Sequence, residues 1–173
     1  MSRLVRKQQI LWLSGVIVIL TIISVIGLQP GQSLPVPTPT GLVIKQSPHS
    51  VPETERRFVS ILEEKGLTVF TTIDHAQNAA QADEGDGLTL PPTRVVIFGN
   101  PQLGTPLMQC GPSIAIDLPQ KLLIWEDSTG QVQVAYNDPR YLAGRHRLRD
   151  CGGDVIRQIA GALDNLSDAA VMP

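Results

Sequence analysis

The feature that most constrains this chain is an apolar run near its start. Residues 10–28 contain no Asp, Glu, Lys or Arg in nineteen positions. As a helix rising about 1.5 Å per residue, this run is about 28 Å long, close to the roughly 30 Å hydrocarbon core of a bilayer. Backbone polar groups inside lipid must bond to one another. The run is therefore predicted to be a transmembrane helix, with the lipid bilayer as its partner.

The charges around this run predict its orientation. Residues 1–9 contain Arg3, Arg6 and Lys7 and no acidic residue. Basic flanks stay in the cytoplasm, which places the N-terminus inside and the rest of the chain in the periplasm or outside the cell. A cleaved secretory signal is the alternative, because Val25 and Gly27 supply small residues at a cleavage position. In that case the remaining chain is secreted.

The segment after the apolar run is predicted to be a spacer. Residues 29–40 contain four prolines and no charged residue, a composition typical of an extended linker. Setting aside the three N-terminal cations, the rest of the chain carries 11 basic and 16 acidic residues. This acidic balance lacks the basic surface of a nucleic-acid-binding protein, so no nucleic-acid partner is expected.

The remaining residues alternate between strand and helix signals. Helix starts are indicated where Ser50, Asn100 and Asp138 precede a proline-containing first turn, and Asp154 is a candidate cap for the last helix. Six strand signals lie at residues 42–44, 67–73, 93–98, 114–118, 121–126 and 131–136. We expect an α+β domain over residues 41–148, with a mostly antiparallel sheet of about six strands and helices on one face. Residues 149–173 are predicted to form an amphipathic helix and tail.

An ordered set of short motifs identifies a family resemblance. The motifs are Ile73-Asp74-His75, the stretch from Phe98 to Met108 (F-G-N-P-Q-L-G-T-P-L-M), Asp117-Leu118-Pro119, Trp125-Glu126-Asp127 and Tyr136-Asn137-Asp138-Pro139. In this order they resemble the domain of unknown function 302 family across residues 41–148. The apolar run, Cys110 and the tail containing Cys151 depart from that pattern.

The resemblance implies a fold and a set of positions, but no reaction. It implies a compact α+β domain, rich in β-α-β units, of a kind that forms dimers in a small bacterial member, so a homodimer is a further expectation. No catalytic residue carries over, because the family has no settled activity. The matching positions expected to line a site are Asp74, His75, Asn100, Met108 and Asp117.

The residues themselves support two interpretations of a site. Gly99 and Asn100 stand where a strand ends and a helix begins, so free backbone N–H groups there are able to bind an anion, or they only form a tight connection. Asp74 and His75 are candidates for acid–base chemistry, or His75 is a hydrogen-bonded structural residue. His146 is interpreted as a helix-end residue stabilised by the helix dipole.

Sulfur-containing residues raise two further possibilities. His75, Met108 and Cys110 are weak metal candidates, because soft sulfur ligands with an imidazole suit Cu(I). No familiar metal-binding motif supports this reading, so no metal is assigned. Cys110 and Cys151 are the only cysteines. They form either a disulfide, as an oxidising compartment would favour, or two separate thiols.

The common fingerprints of cofactor enzymes are missing, so the cofactor stays unknown. No GxGxxG, Walker A, HExxH or GxSxG motif occurs. We therefore expect a membrane-anchored, extracytoplasmic domain that binds a small ligand, a metal or a protein partner without catalysing a reaction. The alternative is an enzyme that uses Asp74 and His75 as acid and base. A deep pocket joining His75, Asn100 and Asp117 would favour a ligand or catalysis, and a flat apolar sheet face would favour a partner.

Overall fold

A computed structural model describes residues 41–148 and 151–173. The predicted transmembrane helix at residues 10–28, the basic segment before it and the linker at residues 29–40 lie outside the described residues. Within the described part of the chain, no helix combines the length and apolar character that a membrane span requires.

The described residues form five strands, five α-helices and one short 3-10 helix. The strands are β1 (Leu42–Ser47), β2 (Thr68–Asp74), β3 (Thr93–Gly99), β4 (Gln120–Glu126) and β5 (Val132–Asn137). The helices are α1 (Val51–Glu64), α2 (His75–Ala82), α3 (Pro101–Cys110), α4 (Pro139–Arg145) and α5 (Gly153–Val171), with the 3-10 helix at Pro112–Ile116. One sheet has the order β1-β5-β4-β3-β2, and every neighbouring pair is antiparallel. The predicted α+β class is confirmed.

The strand predicted at residues 114–118 is wrong. Residues Pro112–Ile116 form a 3-10 helix instead, and its turns continue through a bond of 3.1 Å from the amide of Leu118 to the carbonyl of Ile114. The reason is the pair of prolines that bound the segment, because neither Pro112 nor Pro119 has an N–H group to donate to a strand ladder. The described sheet therefore has five strands rather than six.

Helix starts follow the local signals at three of four predicted caps. The side chains of Ser50, Asn100 and Asp138 each accept a hydrogen bond from a backbone amide two or three residues ahead. The prediction for Asp154 is wrong, because α5 begins at Gly153 with Gly152 as its cap. Gly152 has φ +76°, and a Cβ there would lie 2.8 Å from a methyl carbon of Leu107. Tight packing against α3 thus determines where α5 begins.

The core lies between one face of the sheet and the two long helices. Phe58 of α1 packs edge-on against Phe98 of β3, with ring centroids 5.1 Å apart. The buried strand residues on this face include Val96, Phe98, Leu122, Ile124, Val134 and Tyr136, and α5 contributes Ile156, Ile159, Leu163 and Leu166. Full burial of one such aliphatic side chain contributes roughly 1.5–3 kcal/mol to folding. The C-terminal helix is therefore part of the core of the domain.

The opposite face of the sheet carries an apolar row across its centre. One row across the five strands contains Ile73, Val95, Leu123, Ala135 and Ile44 in register. All of them except the buried Ala135 are partly exposed. An antiparallel sheet that faces water is usually polar on that side. The homodimer expected from the family resemblance stays a prediction. This apolar row is the surface at which contact with a second copy would be tested.

Candidate functional site

An apolar pocket of about 330 Å³ lies where the ends of the strands meet α3 and α5. Its walls are formed by α3, α5, the end of β3 and the segment that leads into β4. The lining residues from these elements include Leu103, Gly104, Met108, Ile159, Leu163, Leu166, Phe98, Gly99, Leu118, Pro119 and Gln120. Phe70, which is 53% exposed, lies at its margin.

A glycine in α3 keeps part of this space empty. Gly104 has no side chain, and a Cβ placed there would meet only a methyl carbon of Leu118, at an ordinary contact distance of 3.8 Å. Glycine within a helix costs about 0.8–1 kcal/mol relative to alanine. The space beside Gly104 is therefore open to a larger group from elsewhere.

One polar side chain that is largely buried contributes to the pocket lining. Gln120 begins β4 and is 9% exposed. Register places it opposite Phe98, so its side chain lies on the core face and lines the pocket. No side-chain hydrogen bond of Gln120 is found among the described residues, and no fully enclosed side-chain nitrogen or oxygen there lacks a partner, so its amide is open to the space of the pocket. A polar group from outside the protein would therefore be able to hydrogen-bond to this amide inside the pocket.

Three of the predicted site residues line this pocket and help to form its walls. Gly99 and Asn100 lie at the junction of β3 and α3, and Met108 lies on α3. The side-chain oxygen of Asn100 accepts a hydrogen bond of 2.9 Å from the amide of Gln102, so it caps the helix. Met108 packs against the core cluster.

Asp74 and His75 lie outside the pocket lining. One carboxylate oxygen of Asp74 caps α2 by accepting a bond of 2.8 Å from the amide of Gln77, and the other accepts one of 2.9 Å from Arg94. The Gln77 amide, followed by the Arg94 guanidinium, lowers the pKa of Asp74. A carboxylate held ionised in this way is a poor proton donor at neutral pH. His75 is an exposed residue in the first turn of α2.

Asp117 belongs to a second polar cluster that the sequence did not reveal. Its Oδ2 lies 2.6 Å from Nε2 of His146, whose Nδ1 lies 2.9 Å from Oγ of Ser113. The side chains of His146 and Asp117 are 6% and 13% exposed, and Ser113 is exposed. We call these three residues the Ser-His-Asp array. His146 does end α4 as expected, but its ring is held by this array.

No local signal links the members of this array. Ser113 and His146 are 33 positions apart, and they meet only because α4 returns to the 3-10 helix. The prediction that named Asp117 came from the family resemblance, which gave it no partners. Tertiary packing brings these two distant segments together, and the properties of single residues do not predict it.

The two cysteines are joined in a disulfide, with Cα atoms 5.7 Å apart. The bond connects the last residue of α3 to the segment just before α5. It also removes Cys110 from the weak metal candidates, because a bonded sulfur is not a thiolate ligand. Among the described residues, no three His, Cys, Asp or Glu side chains form a group suited to a metal ion.

Comparison with known families identifies the domain. Residues 43–166 match the model of the family described as "Domain of unknown function DUF302". The chain belongs to the DUF302 family. The match runs beyond residue 148, where the expected resemblance ended, and takes in most of α5. The C-terminal helix is thus part of the DUF302 domain, as its share of the core also indicates.

A solved structure shows the same fold. A crystal structure of an uncharacterized conserved DUF302 protein from Bacillus stearothermophilus aligns with a TM-score of 0.59 at 17% sequence identity. The alignment covers 77% of this chain and 97% of that one. At this identity the likeness establishes the fold of the DUF302 domain.

Curated relatives with higher identity are longer proteins. "Fluoride-specific ion channel FluC 1" of Brucella suis is 49% identical over 109 residues, which is 63% of this chain and 41% of the relative. The protein of the same name in Brucella abortus and "Fluoride-specific ion channel FluC 2" of Brucella melitensis are also 49% identical, over 39% of their lengths. The chain thus spans about two fifths of the relatives it matches.

Proposed function

We propose that this DUF302 domain binds a small amphipathic molecule in the pocket between α3, α5 and the ends of the strands. The observation that carries the proposal is the polar side chain of Gln120, whose amide is open to a largely apolar cavity. Ligand sites are typically apolar cavities with a few polar groups that orient the ligand. The volume of about 330 Å³ is near the lower end of the range of about 300–1,000 Å³ for such sites, which favours a small ligand.

The chemistry of the lining indicates the class of ligand. Alkyl and aromatic walls favour a short hydrocarbon chain, with roughly 0.8 kcal/mol gained for each methylene group removed from water. The Gln120 amide both donates and accepts hydrogen bonds. A neutral hydroxyl, carbonyl or amide on the chain satisfies it without burying a charge, which would cost more. A medium-chain alcohol is the simplest molecule that meets these requirements.

Photolabelling tests this proposal on the full-length chain. The probe is a medium-chain alkyl alcohol carrying a diazirine, and peptide mapping locates the covalent label. We expect labelled peptides from α3 and α5, and competition by unlabelled decanol. Label confined to other peptides, or label that decanol does not compete with, would refute the proposal.

A matched pair of substitutions makes the test specific to the cavity. Gly104→Leu fills the pocket beside Leu118, and we expect it to reduce labelling at least tenfold. Gly161→Leu introduces the same side chain in α5, where an added Cβ meets nothing within 4 Å and the residue is exposed. Both changes remove a helical glycine and therefore raise helix propensity. Equal labelling of the two variants would argue against the pocket.

We also propose that residues 10–28 anchor this domain outside the cytosol. Basic residues on only one side of the apolar run support that orientation. The Cys110–Cys151 disulfide supports an oxidising compartment. The curated relatives are named as ion channels, and such proteins lie in membranes. Protease treatment of intact spheroplasts is expected to degrade the domain together with an external control, whereas protection of the domain alone would exclude this location.

The same preparation distinguishes an anchor from a cleaved signal. An uncleaved anchor leaves the native N-terminus on the mature protein and keeps it in the membrane fraction. N-terminal sequencing that begins near Leu28, with the protein in the soluble fraction, would instead support secretion.

A further inference from the structure

We propose that Ser113 is a base-activated nucleophile that attacks carboxylic esters with apolar acyl groups, with His146 as its base and Asp117 as a positioning residue. The proposal rests on the Ser-His-Asp array and does not depend on the ligand pocket. Nucleophilic serines are characteristically found within hydrogen-bond reach of a base that a third group orients. The structure contains that set of contacts.

The array has a defined hydrogen-bond direction. An ionised carboxylate only accepts hydrogen bonds, so Asp117 accepts from the Nε2–H of His146 across 2.6 Å. The neutral ring then carries its lone pair on Nδ1. Ser113 donates its hydroxyl proton to that atom across 2.9 Å. The contact thus points the serine proton at the atom able to remove it.

Exposure within the array is arranged as a reactive serine requires. His146 and Asp117 are nearly enclosed, with side chains 6% and 13% exposed. Ser113 is exposed, so its oxygen is open to an incoming molecule. Arg145 adds a weak contact of 3.4 Å between its guanidinium group and Oδ1 of Asp117. The base and its orienting group are fixed while the nucleophile faces solvent.

The 3-10 helix supplies the reason for an apolar acyl group. Side chains three positions apart eclipse each other in this helix, which places Ile116 beside Ser113. Ile116 is 75% exposed, an unusual position for a large aliphatic residue. An ester whose acyl chain covers Ile116 would bring its carbonyl carbon to the Ser113 oxygen.

The reaction balances with water as the second substrate. The Ser113 oxygen bonds to the ester carbonyl carbon while its proton passes to Nδ1 of His146. The bond from that carbon to the alkoxy oxygen breaks, and the imidazolium returns the proton to the departing alcohol. Water then attacks the acyl-serine, loses a proton to the same nitrogen and releases the carboxylic acid, and Ser113 regains its proton.

An alkyl fluorophosphonate tests the nucleophile directly on the full-length chain. Attack by Ser113 forms a phosphorus–oxygen bond and expels fluoride, and the adduct is seen as an added mass on the peptide that contains Ser113. We expect one adduct, absent in Ser113→Ala and unchanged in Ser128→Ala, a matched change of an exposed serine in the β4–β5 turn. No adduct on the native chain, or equal labelling of Ser113 and Ser128, would overturn the proposal.

The base and the positioning residue have separate readouts. His146→Gln retains polar atoms at the same place and is expected to slow phosphonylation about 100-fold or more, as loss of a general base does. Labelling at the native rate in this variant would refute a role for His146. For Asp117, the ¹⁵N spectrum of the His146 ring should show the Nε2–H tautomer in the native chain and a mixture in Asp117→Asn. The same spectrum in both proteins would exclude Asp117 as the group that orients the ring.

Turnover completes the test. The native chain is expected to hydrolyse p-nitrophenyl butyrate faster than Ser113→Ala does, and Ile116→Ser is expected to slow hydrolysis of butyrate more than that of acetate. Equal hydrolysis by the native chain and Ser113→Ala would show that the serine is not a catalyst.

Discussion

The ligand pocket and the Ser-His-Asp array lie on either side of one connection, and they differ in whether the protein itself supplies the hydrogen-bond partners of their polar side chains. Residues 111–119 connect α3 to β4. This connection supplies Ser113 and Asp117 to the array, and Gln120, the first residue of β4, lines the pocket. In the array each polar side chain is hydrogen-bonded to another described residue, whereas the Gln120 amide has no such bond and is open to the pocket.

This difference separates two uses of a polar group. Burial of a polar atom without a hydrogen bond is costly, so its partner comes from the protein or from something that the protein binds. In the array the hydrogen-bond partners come from distant segments of the same chain, and they fix the orientation of the His146 ring. In the pocket the Gln120 amide is available to hydrogen-bond to a ligand. Changes to the two regions should accordingly affect different measurements.

The largest expected effect comes from the one link that both regions share. Cys110 is the last residue of α3, which forms a wall of the pocket, and it lies three positions before Ser113. Its disulfide to Cys151 closes a loop with a sequence separation of 41. In the chain-entropy model this bond contributes about 4 kcal/mol to stability. The double variant Cys110→Ser/Cys151→Ser should lose that amount in urea unfolding. An unchanged unfolding midpoint would show that the bond does not form.

The next effect should be confined to the pocket. Leu163 of α5 is 3% exposed and lines the cavity. Leu163→Ala is expected to lower the free energy of unfolding by about 3 kcal/mol, because it removes packed methyl groups and enlarges the space. Phosphonylation of Ser113 in the folded variant should keep its native rate. A parallel loss of that rate would show that the two regions are coupled.

A smaller effect should distinguish ligands by their polar group. Gln120→Leu keeps a similar size but removes the amide, so it should weaken labelling by the alkyl alcohol diazirine about tenfold, equivalent to about 1.4 kcal/mol. Labelling by the corresponding alkane diazirine should hold or rise. Gln109→Leu, an exposed position on α3, is the control and should change neither. Equal loss of both probes in Gln120→Leu would mean that the amide does not select the ligand.

The smallest effect should fall on a residue outside both regions. Asp74→Ala removes the cap of α2 and should cost about 1 kcal/mol at neutral pH. Because folding lowers the pKa of Asp74, its contribution is present above the unfolded pKa of about 3.9 and is lost as the pH falls further. Unfolding measured from pH 7 to pH 3 should show the native and variant curves converging. Photolabelling of the pocket and phosphonylation of Ser113 should not change in Asp74→Ala. Loss of either would indicate that Asp74 belongs to a functional site.

Local sequence determined the parts of this fold in which partners lie within a few residues. Ser50, Asn100 and Asp138 start helices because an oxygen on each side chain reaches an amide two or three positions ahead. The same reasoning failed at residues 114–118, where an apolar run resembled a strand but flanking prolines removed the donors that a ladder needs.

Sequence by itself showed the apolar run at residues 10–28 and predicted the α+β class and the family, and three of the candidate residues that it named, Gly99, Asn100 and Met108, line the pocket. Tertiary structure alone decided that the Gln120 amide faces the pocket and that Ser113 and His146 meet. The physical reason is that burial and long-range hydrogen bonds depend on which distant surfaces pack together. No property of a single residue or its neighbours contains that information.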